Sequence, residues 1–250
     1  MTESRCDIVA FLDDDCMPEA QWLEYMRRPF LDEQVAVVTG EIIRLIGPGM
    51  RSEDVQSELE DLRYVSRNTP RWFEIASFGG MGIGTNMAFR KGACLDKVLF
   101  DERLGRGAPF RIAEENCAFV SLLSKGYSIA LTSMARVRHP EKPMDVGEEA
   151  KSTIAYWLLL YEMFPENRMD LLYFLARRVL RRPPTWRLET VNSDRIVSSG
   201  WGLKLKALAG GISLFLRARK YSPDKKGNGR MEDLRSISRE RTSPPSSEAP

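Results

Sequence analysis

Eight residues near the start of the chain, Ile8-Val9-Ala10-Phe11-Leu12-Asp13-Asp14-Asp15, limit what it can fold into. Five apolar residues, Ile and Val among them, have the pattern of a strand buried on both faces. Three carboxylates follow where that strand would leave its sheet, and in open α/β sheets ligands gather at the carboxyl ends of strands. Alternation along a strand would aim Asp13 and Asp15 the same way, about 6–7 Å apart. Like charges packed together raise one another's pKa unless a cation neutralises them. Hard oxygen ligands on a rigid edge suit Mg²⁺ or Mn²⁺, which take one or two carboxylates plus substrate phosphates. The same residues also read as an acidic loop capping a helix that begins near Glu19, and spacing alone leaves both readings open.

At 250 residues, with 43% hydrophobic and 29% charged residues, the chain has room and composition for one substantial globular domain plus an extension. Its net charge of +2 is unevenly spread. Residues 1–167 hold 19 Lys and Arg against 27 Asp and Glu, a net of −8, and residues 168–220 hold 12 against 3, a net of +9. The basic segment should seek an anionic surface, whether membrane, nucleic acid or the acidic part of the same chain. The four cysteines, Cys6, Cys16, Cys94 and Cys117, show no CxxC pair and no metal-ligand spacing. With no secretory signal visible, reduced thiols in a cytoplasmic compartment are expected. No apolar run approaches the ~18 residues of a spanning helix.

Pro18 and Glu19 suit the first turn of a helix running to about Phe30, with Trp22, Leu23 and Met26 on its buried side. Val35 to Thr39 is a strand signal that can continue through Ile42 and Ile43. Between Ser52 and Arg67, Val55, Leu59, Leu62 and Val65 recur at helical intervals. The run Gly79-Gly80-Met81-Gly82-Ile83-Gly84 does not fit GxGxxG; it reads as a turn, or as a loop whose backbone approaches a ligand closely. Thr85 to Phe89 reads as a short strand, and Phe100 to Gly105 as a compact turn. Glu114 and Glu115 open a helix to about Lys125 that ends at Gly126. Acidic residues there can simply complement the helix dipole. Ile129–Leu131 and Ala135–Val137 read as short strands, the second leading to His139, the chain's one histidine.

From Glu148 the pattern turns helical, over Ile154–Met163, Asp170–Leu180 and Gly200–Lys220, with Pro183-Pro184 as a break. The last run puts Trp201, Leu205, Leu208, Ile212 and Leu216 on one line, with Lys204, Lys206, Arg217 and Arg219 near its ends. Such a helix either lies on an anionic lipid surface or packs against the domain. Residues 221–250, rich in Ser, Pro and charge, are expected to be disordered.

Six of these pieces, in this order, resemble the second half of a family-2 glycosyltransferase of GT-A fold: Ile8–Asp15 with Pro18 and Trp22; Val35–Gly40; Gly84-Thr85-Asn86-Met87-Ala88-Phe89-Arg90; Phe100–Gly105; Glu114-Glu115; and Gly126–His139. The resemblance implies an α/β fold, a partial GT-A sheet lacking its N-terminal βαβ half and followed by C-terminal α-helices. The implied division is a glycosyltransferase portion at 1–143, a basic helical extension at 144–220 and a tail at 221–250. It also implies that Asp13 and Asp15, with Asp14 alongside, hold Mg²⁺ or Mn²⁺ against the diphosphate of a nucleotide-sugar, and that His139 is a further metal ligand. Glu114 and Glu115 match the family's Glu-Asp pair, with Glu115, one methylene longer, as the base that deprotonates the acceptor hydroxyl. The expected reaction is inverting transfer of a single sugar, since the Gln-x-x-Arg-Trp signature of processive synthases is absent. Expected partners are the nucleotide-sugar donor, a saccharide or lipid-linked acceptor of the cell envelope and an anionic membrane surface, but not nucleic acid. The expected location is the cytoplasm, peripheral on the inner face of the plasma membrane.

Family members normally place about a hundred residues of βαβ structure before the Asp-x-Asp strand, which here begins at Ile8. The expectation is therefore a piece of a longer protein, or a truncated product. Two alternatives compete with this reading. A haloacid-dehalogenase-like phosphohydrolase needs Thr or Val where Met17 stands. A non-catalytic remnant would bind membrane or partner through its basic helices.

Overall fold

The structure, a computed structural model, describes residues 4–46, 51–52, 61–82, 84–94, 100–140, 146–179 and 201–219. Seven strands form one mixed sheet: β1 (Ile8–Leu12), β2 (Met17–Pro18), β3 (Val35–Ile46), β4 (Arg51–Ser52), β5 (Leu62–Val65), β6 (Asn86–Arg90) and β7 (Ser128–Pro140). The order along the sheet is β1-β6-β3-β7-β2, with β4 on β3 and β5 on β7. β3 and β7 run parallel, while β6 lies antiparallel to both β1 and β3.

Helices cover both faces. α1 (Trp22–Arg27) and the 3-10 turn after it press Met26 and Phe30 onto Val35, Val38, Ala88 and Ala130. On the other face lie α2 (Trp72–Ser77), α4 (Glu114–Ser124), α5 (Val146–Met163) and α6 (Arg168–Val179). The short helix α3 (Lys91–Cys94) continues from β6. A single cluster there joins Phe89 of β6 to Phe119 and Leu122 of α4, Leu159 and Leu160 of α5 and Leu171 of α6. α7 (Trp201–Ala218) packs along α5. The α/β class expected from the chain is the one found, and the helices after Val146 share the sheet's core.

Several local expectations need correcting. β1 is not buried on both faces: it pairs with β6 alone among the described residues, and Ala10 and Leu12 are exposed. α1 is shorter than expected at both ends: Pro18 lies in β2, so the helix starts only at Trp22, and its end tightens into the 3-10 turn that holds Pro29; Leu23 faces solvent. Leu62 and Val65, spaced as for a helix, instead form β5, whose backbone pairs with Ile129 to Thr132 of β7. The two short strands expected around residues 129–137 are one strand, β7. Residues 53–60, Pro183-Pro184 and 221–250 lie outside the described residues.

The long β7 carries the irregularity that shapes the site. Gly40 pairs with Thr132 but Glu41 pairs with Arg136, so residues 133–135 bulge opposite one peptide of β3. The bulge is held by Arg136, whose Nε donates to Glu41 Oε2 at 3.1 Å and to the Ser133 carbonyl at 2.9 Å. Buried Asn86 locks the crossing: it accepts from Trp22 Nε1 at 2.8 Å and donates to the carbonyls of Glu41 at 2.9 Å and Ala135 at 2.8 Å. Gly40 sits beneath this knot, where a Cβ would lie 2.1 Å from the Ala135 oxygen. Beyond the bulge, Val137 and Arg138 pair with Pro18 and Met17 of β2. That pairing brings the end of β7 beside the Asp cluster.

Candidate active site

Asp13 and Asp15 converge through a turn rather than through strand alternation. β1 ends at Leu12, and Cys16 N–H donates to the Asp13 carbonyl at 3.1 Å, closing a four-residue turn. Asp14, at the turn's tip, is exposed, whereas Asp13, Asp15 and Cys16 are half-buried. His139 Nε2 lies 3.4 Å from Asp15 Oδ1 and 3.6 Å from Asp13 Oδ2. The donor atoms of Asp15, Cys16 and His139 all fall within 4.8 Å of one another. Cys16 is a member that sequence reasoning missed, because the signal sought there was a cysteine pair.

These residues fit a divalent cation. The His139 Nε2 atom is buried, faces two carboxylates and makes no hydrogen bond. A buried polar atom left in that state costs roughly 1–3 kcal/mol, which a shared cation would remove. Two carboxylates, an imidazole and a thiol are all competent ligands for a divalent ion. Thr85 fixes one of them: its hydroxyl donates to Asp13 Oδ2 at 3.0 Å.

Gly84, next to Thr85, faces the second half of the site. A Cβ on Gly84 would stand 3.9 Å from Glu115 Cδ, so the glycine-rich stretch brings backbone against a carboxylate. Glu115 opens α4 but is 8% exposed, which a residue that merely complements the helix dipole has no reason to be. Burial pushes its carboxyl up to about 7, and the charge of Glu114 adds to the rise. The backbone N–H groups of Glu115 itself and of Gly84 oppose it. A carboxylate poised near neutral pH is suited to take a proton from a hydroxyl.

Glu114 is half-buried and rests on the Phe100–Gly105 turn, where a Cβ on Gly105 would meet its Cδ at 3.0 Å. The helix start is built under strain. Its N-cap, Ala113, is left-handed at φ 68° and offers no side-chain cap. A missing cap costs about 1 kcal/mol. It is outweighed by Phe119, Val120, Leu122 and Leu123, fully buried and worth about 1.5–3 kcal/mol each. α5 contributes Tyr156, whose buried phenol is held protonated by burial and by nearby Cys117 and Glu115. None of the four cysteines is in a disulfide, and burial pushes Cys94 to about 11 and Cys117 to about 12, so neither is a nucleophile.

Residues 1–96 match the sequence model of a family described as "Glycosyl transferase family 2". The match contains the Asp cluster and the Gly84-Thr85 pair, while Glu114, Glu115 and His139 lie beyond it. No curated protein matches the chain. Among solved structures, one similar chain is that of S. aureus TarS 1-349 in complex with UDP-GlcNAc, at 14% identity and a TM-score of 0.47. The similarity covers 86% of this chain and 59% of that one.

Proposed function

Taking residues 1–96 as a stretch of a family-2 glycosyltransferase, we propose that the protein takes part in metal-dependent, inverting transfer of a sugar from a nucleotide-sugar to an acceptor hydroxyl. The observation that carries this reading is the convergence of Asp13 and Asp15, near the start of the matched segment, with His139, beyond its end, beside a loop that also touches Glu115. Asp13, Asp15 and His139 would hold Mg²⁺ or Mn²⁺, with Cys16 next to them. The ion supplies charge neutralisation to the departing nucleoside diphosphate.

The chain's own residues account for the rest. Thr85 orients Asp13, and the Asp13–Cys16 turn sets Asp15 toward His139. Glu115, as carboxylate, takes the acceptor's hydroxyl proton while the acceptor oxygen bonds to the anomeric carbon. The bond from that carbon to the diphosphate oxygen breaks, and the negative charge leaves with the nucleotide. Glu114 keeps Glu115 basic by repulsion and seats α4 on the Gly105 turn. The acceptor class is a saccharide or lipid-linked hydroxyl of the cell envelope, met on the cytoplasmic side.

The test is binding of UDP and GDP to the full chain by calorimetry, with and without Mn²⁺. Mn²⁺-dependent binding that Asp15→Ala abolishes is expected. Nucleotide binding indifferent to both Mn²⁺ and Asp15→Ala would reject the reading.

A further inference from the structure

We propose that the outward face of α7 docks on an anionic lipid bilayer. This helix of 18 residues carries no Asp or Glu. It carries large apolar side chains on two sides, whereas an ordinary amphipathic helix turns them all to the core. The packing side joins the small, buried Ala207, Gly211 and Ala218 to the half-buried Leu214 and Phe215, which reach the main core. The approach is close, since a Cβ on Gly211 would stand 2.7 Å from the Ile154 side chain and one on Gly210 would stand 2.9 Å from that of Lys151.

Four other large aliphatics point away from that side. Leu205, Leu208, Ile212 and Leu216 are 62%, 48%, 41% and 53% exposed. Their spacing of three, four and four residues puts them on one line along the helix, about 27 Å long at 1.5 Å per residue. The line that could equally have faced lipid or the domain is therefore the line that the described residues leave open, while the other side does the packing. A contiguous apolar stripe of this kind marks an interaction surface.

The charges beside the stripe select its occupant. Lys206, Arg217 and Arg219 are all exposed, and the nearby acid Glu162 of α5 pairs with Arg219 at 3.4 Å. A second copy on the same face would set these cations against their own equivalents, since a two-fold interface is self-complementary. Four half-exposed side chains also present on the order of a few hundred Å², below the ~800 Å² per partner of a stable protein interface. A bilayer needs neither shape complementarity nor that area, and its anionic headgroups match the flanking cations. No helix among the described residues is long and apolar enough to cross a membrane, so α7 would lie in the interface plane.

Cosedimentation of the full chain with vesicles of phosphatidylcholine, with or without phosphatidylglycerol, tests this without any sugar substrate, and so independently of the proposed transfer activity. Binding is expected to vesicles containing phosphatidylglycerol, weakening as salt rises. The double variant Leu208→Glu, Ile212→Glu should lose about ten-fold or more in partitioning. Lys206→Ala with Arg217→Ala should bind less and with a shallower salt dependence. These positions are exposed, so unchanged circular dichroism and melting are expected; Leu208→Ser with Ile212→Ser serves if the double Glu variant fails to fold. Wild-type binding by a folded double variant would overturn the proposal. So would equal binding to pure phosphatidylcholine, or a concentration-dependent dimer that the double variant abolishes.

Discussion

Thr85 donates its hydroxyl to Asp13 Oδ2 across 3.0 Å, and its neighbour Gly84 lies against the Glu115 carboxyl. Two adjacent residues thus tie the two acidic centres together. A change at Gly84-Thr85, just before β6, therefore disturbs both centres at once.

Thr85→Val should therefore weaken cation binding with little change in fold. The variant keeps the volume and removes the donor that orients Asp13. Loss of a group that orients a metal ligand typically costs 10–100-fold in affinity, so a drop of about that size is expected for Mn²⁺. Calorimetric titration measures it, and an unaltered dissociation constant would remove Thr85 from the site.

Cys16 makes a separate prediction about which ion the cluster favours. Its sulfur is grouped with one carboxylate of Asp15 and the imidazole of His139. Sulfur prefers softer ions such as Zn²⁺ over Mg²⁺ or Mn²⁺. Zn²⁺ should displace Mn²⁺ from the wild type, and Cys16→Ser should reduce Zn²⁺ affinity by about ten-fold while sparing Mn²⁺. Co²⁺ gives a direct readout through a sulfur-to-metal charge-transfer band, present in the wild type and lost in the variant.

At Gly40 the prediction concerns stability. An added methyl would meet the Ala135 carbonyl oxygen at 2.1 Å and Asn86 Nδ2 at 2.4 Å, and both belong to the knot that holds the β7 bulge. Gly40→Ala combines overpacking with loss of a buried hydrogen bond, a cost of about 3 kcal/mol. At about 2–4 °C per kcal/mol, Tm should fall by about 6–12 °C. Gly92, with nothing within 4 Å of its Cβ position, is the control: Gly92→Ala should be neutral or slightly stabilising by calorimetry.

The features legible in the sequence were those carried by local pattern. Ile8–Leu12, Val35–Thr39 and the helix after Glu114 were readable because apolar runs and a terminating glycine signal them directly. Leu62 and Val65 were not, because their helical spacing was overridden by backbone pairing with β7, a partner about 65 residues away. His139 could be singled out, but the bulge at residues 133–135 and the pairing with β2, which bring it to Asp13 and Asp15, are long-range events with no local signal. On α7 the apolar line could be read, but the polarity pattern left open whether it faces lipid or the domain: close approach to α5 through Ala207 and Gly211 depends on shape, to which such a pattern is blind.

The last prediction joins catalysis to stability at Glu115. Its folded pKa is raised to about 7 from the ordinary 4.5, chiefly by burial. A base must be deprotonated, so turnover with the cognate donor should rise with pH through about 7 and then level off. The linkage runs the other way for folding. Below about 4.5 the carboxyl is protonated both folded and unfolded and carries no penalty. Between 4.5 and 7 the unfolded chain ionises while the folded one resists, and stability declines until the folded group ionises as well. Glu115→Gln removes the titration and retains the shape. It should lower turnover by about 10²–10⁴-fold while leaving donor binding nearly unchanged. At neutral pH it should also raise Tm, by about 2–4 °C for each kcal/mol recovered, with the gain vanishing below pH 4.5. Parallel pH–rate and pH–melting series on wild type and variant test both halves. A Tm gain that persists at acidic pH would mean that Glu115 is destabilising for reasons other than its charge. Unchanged turnover would remove it from the role of base.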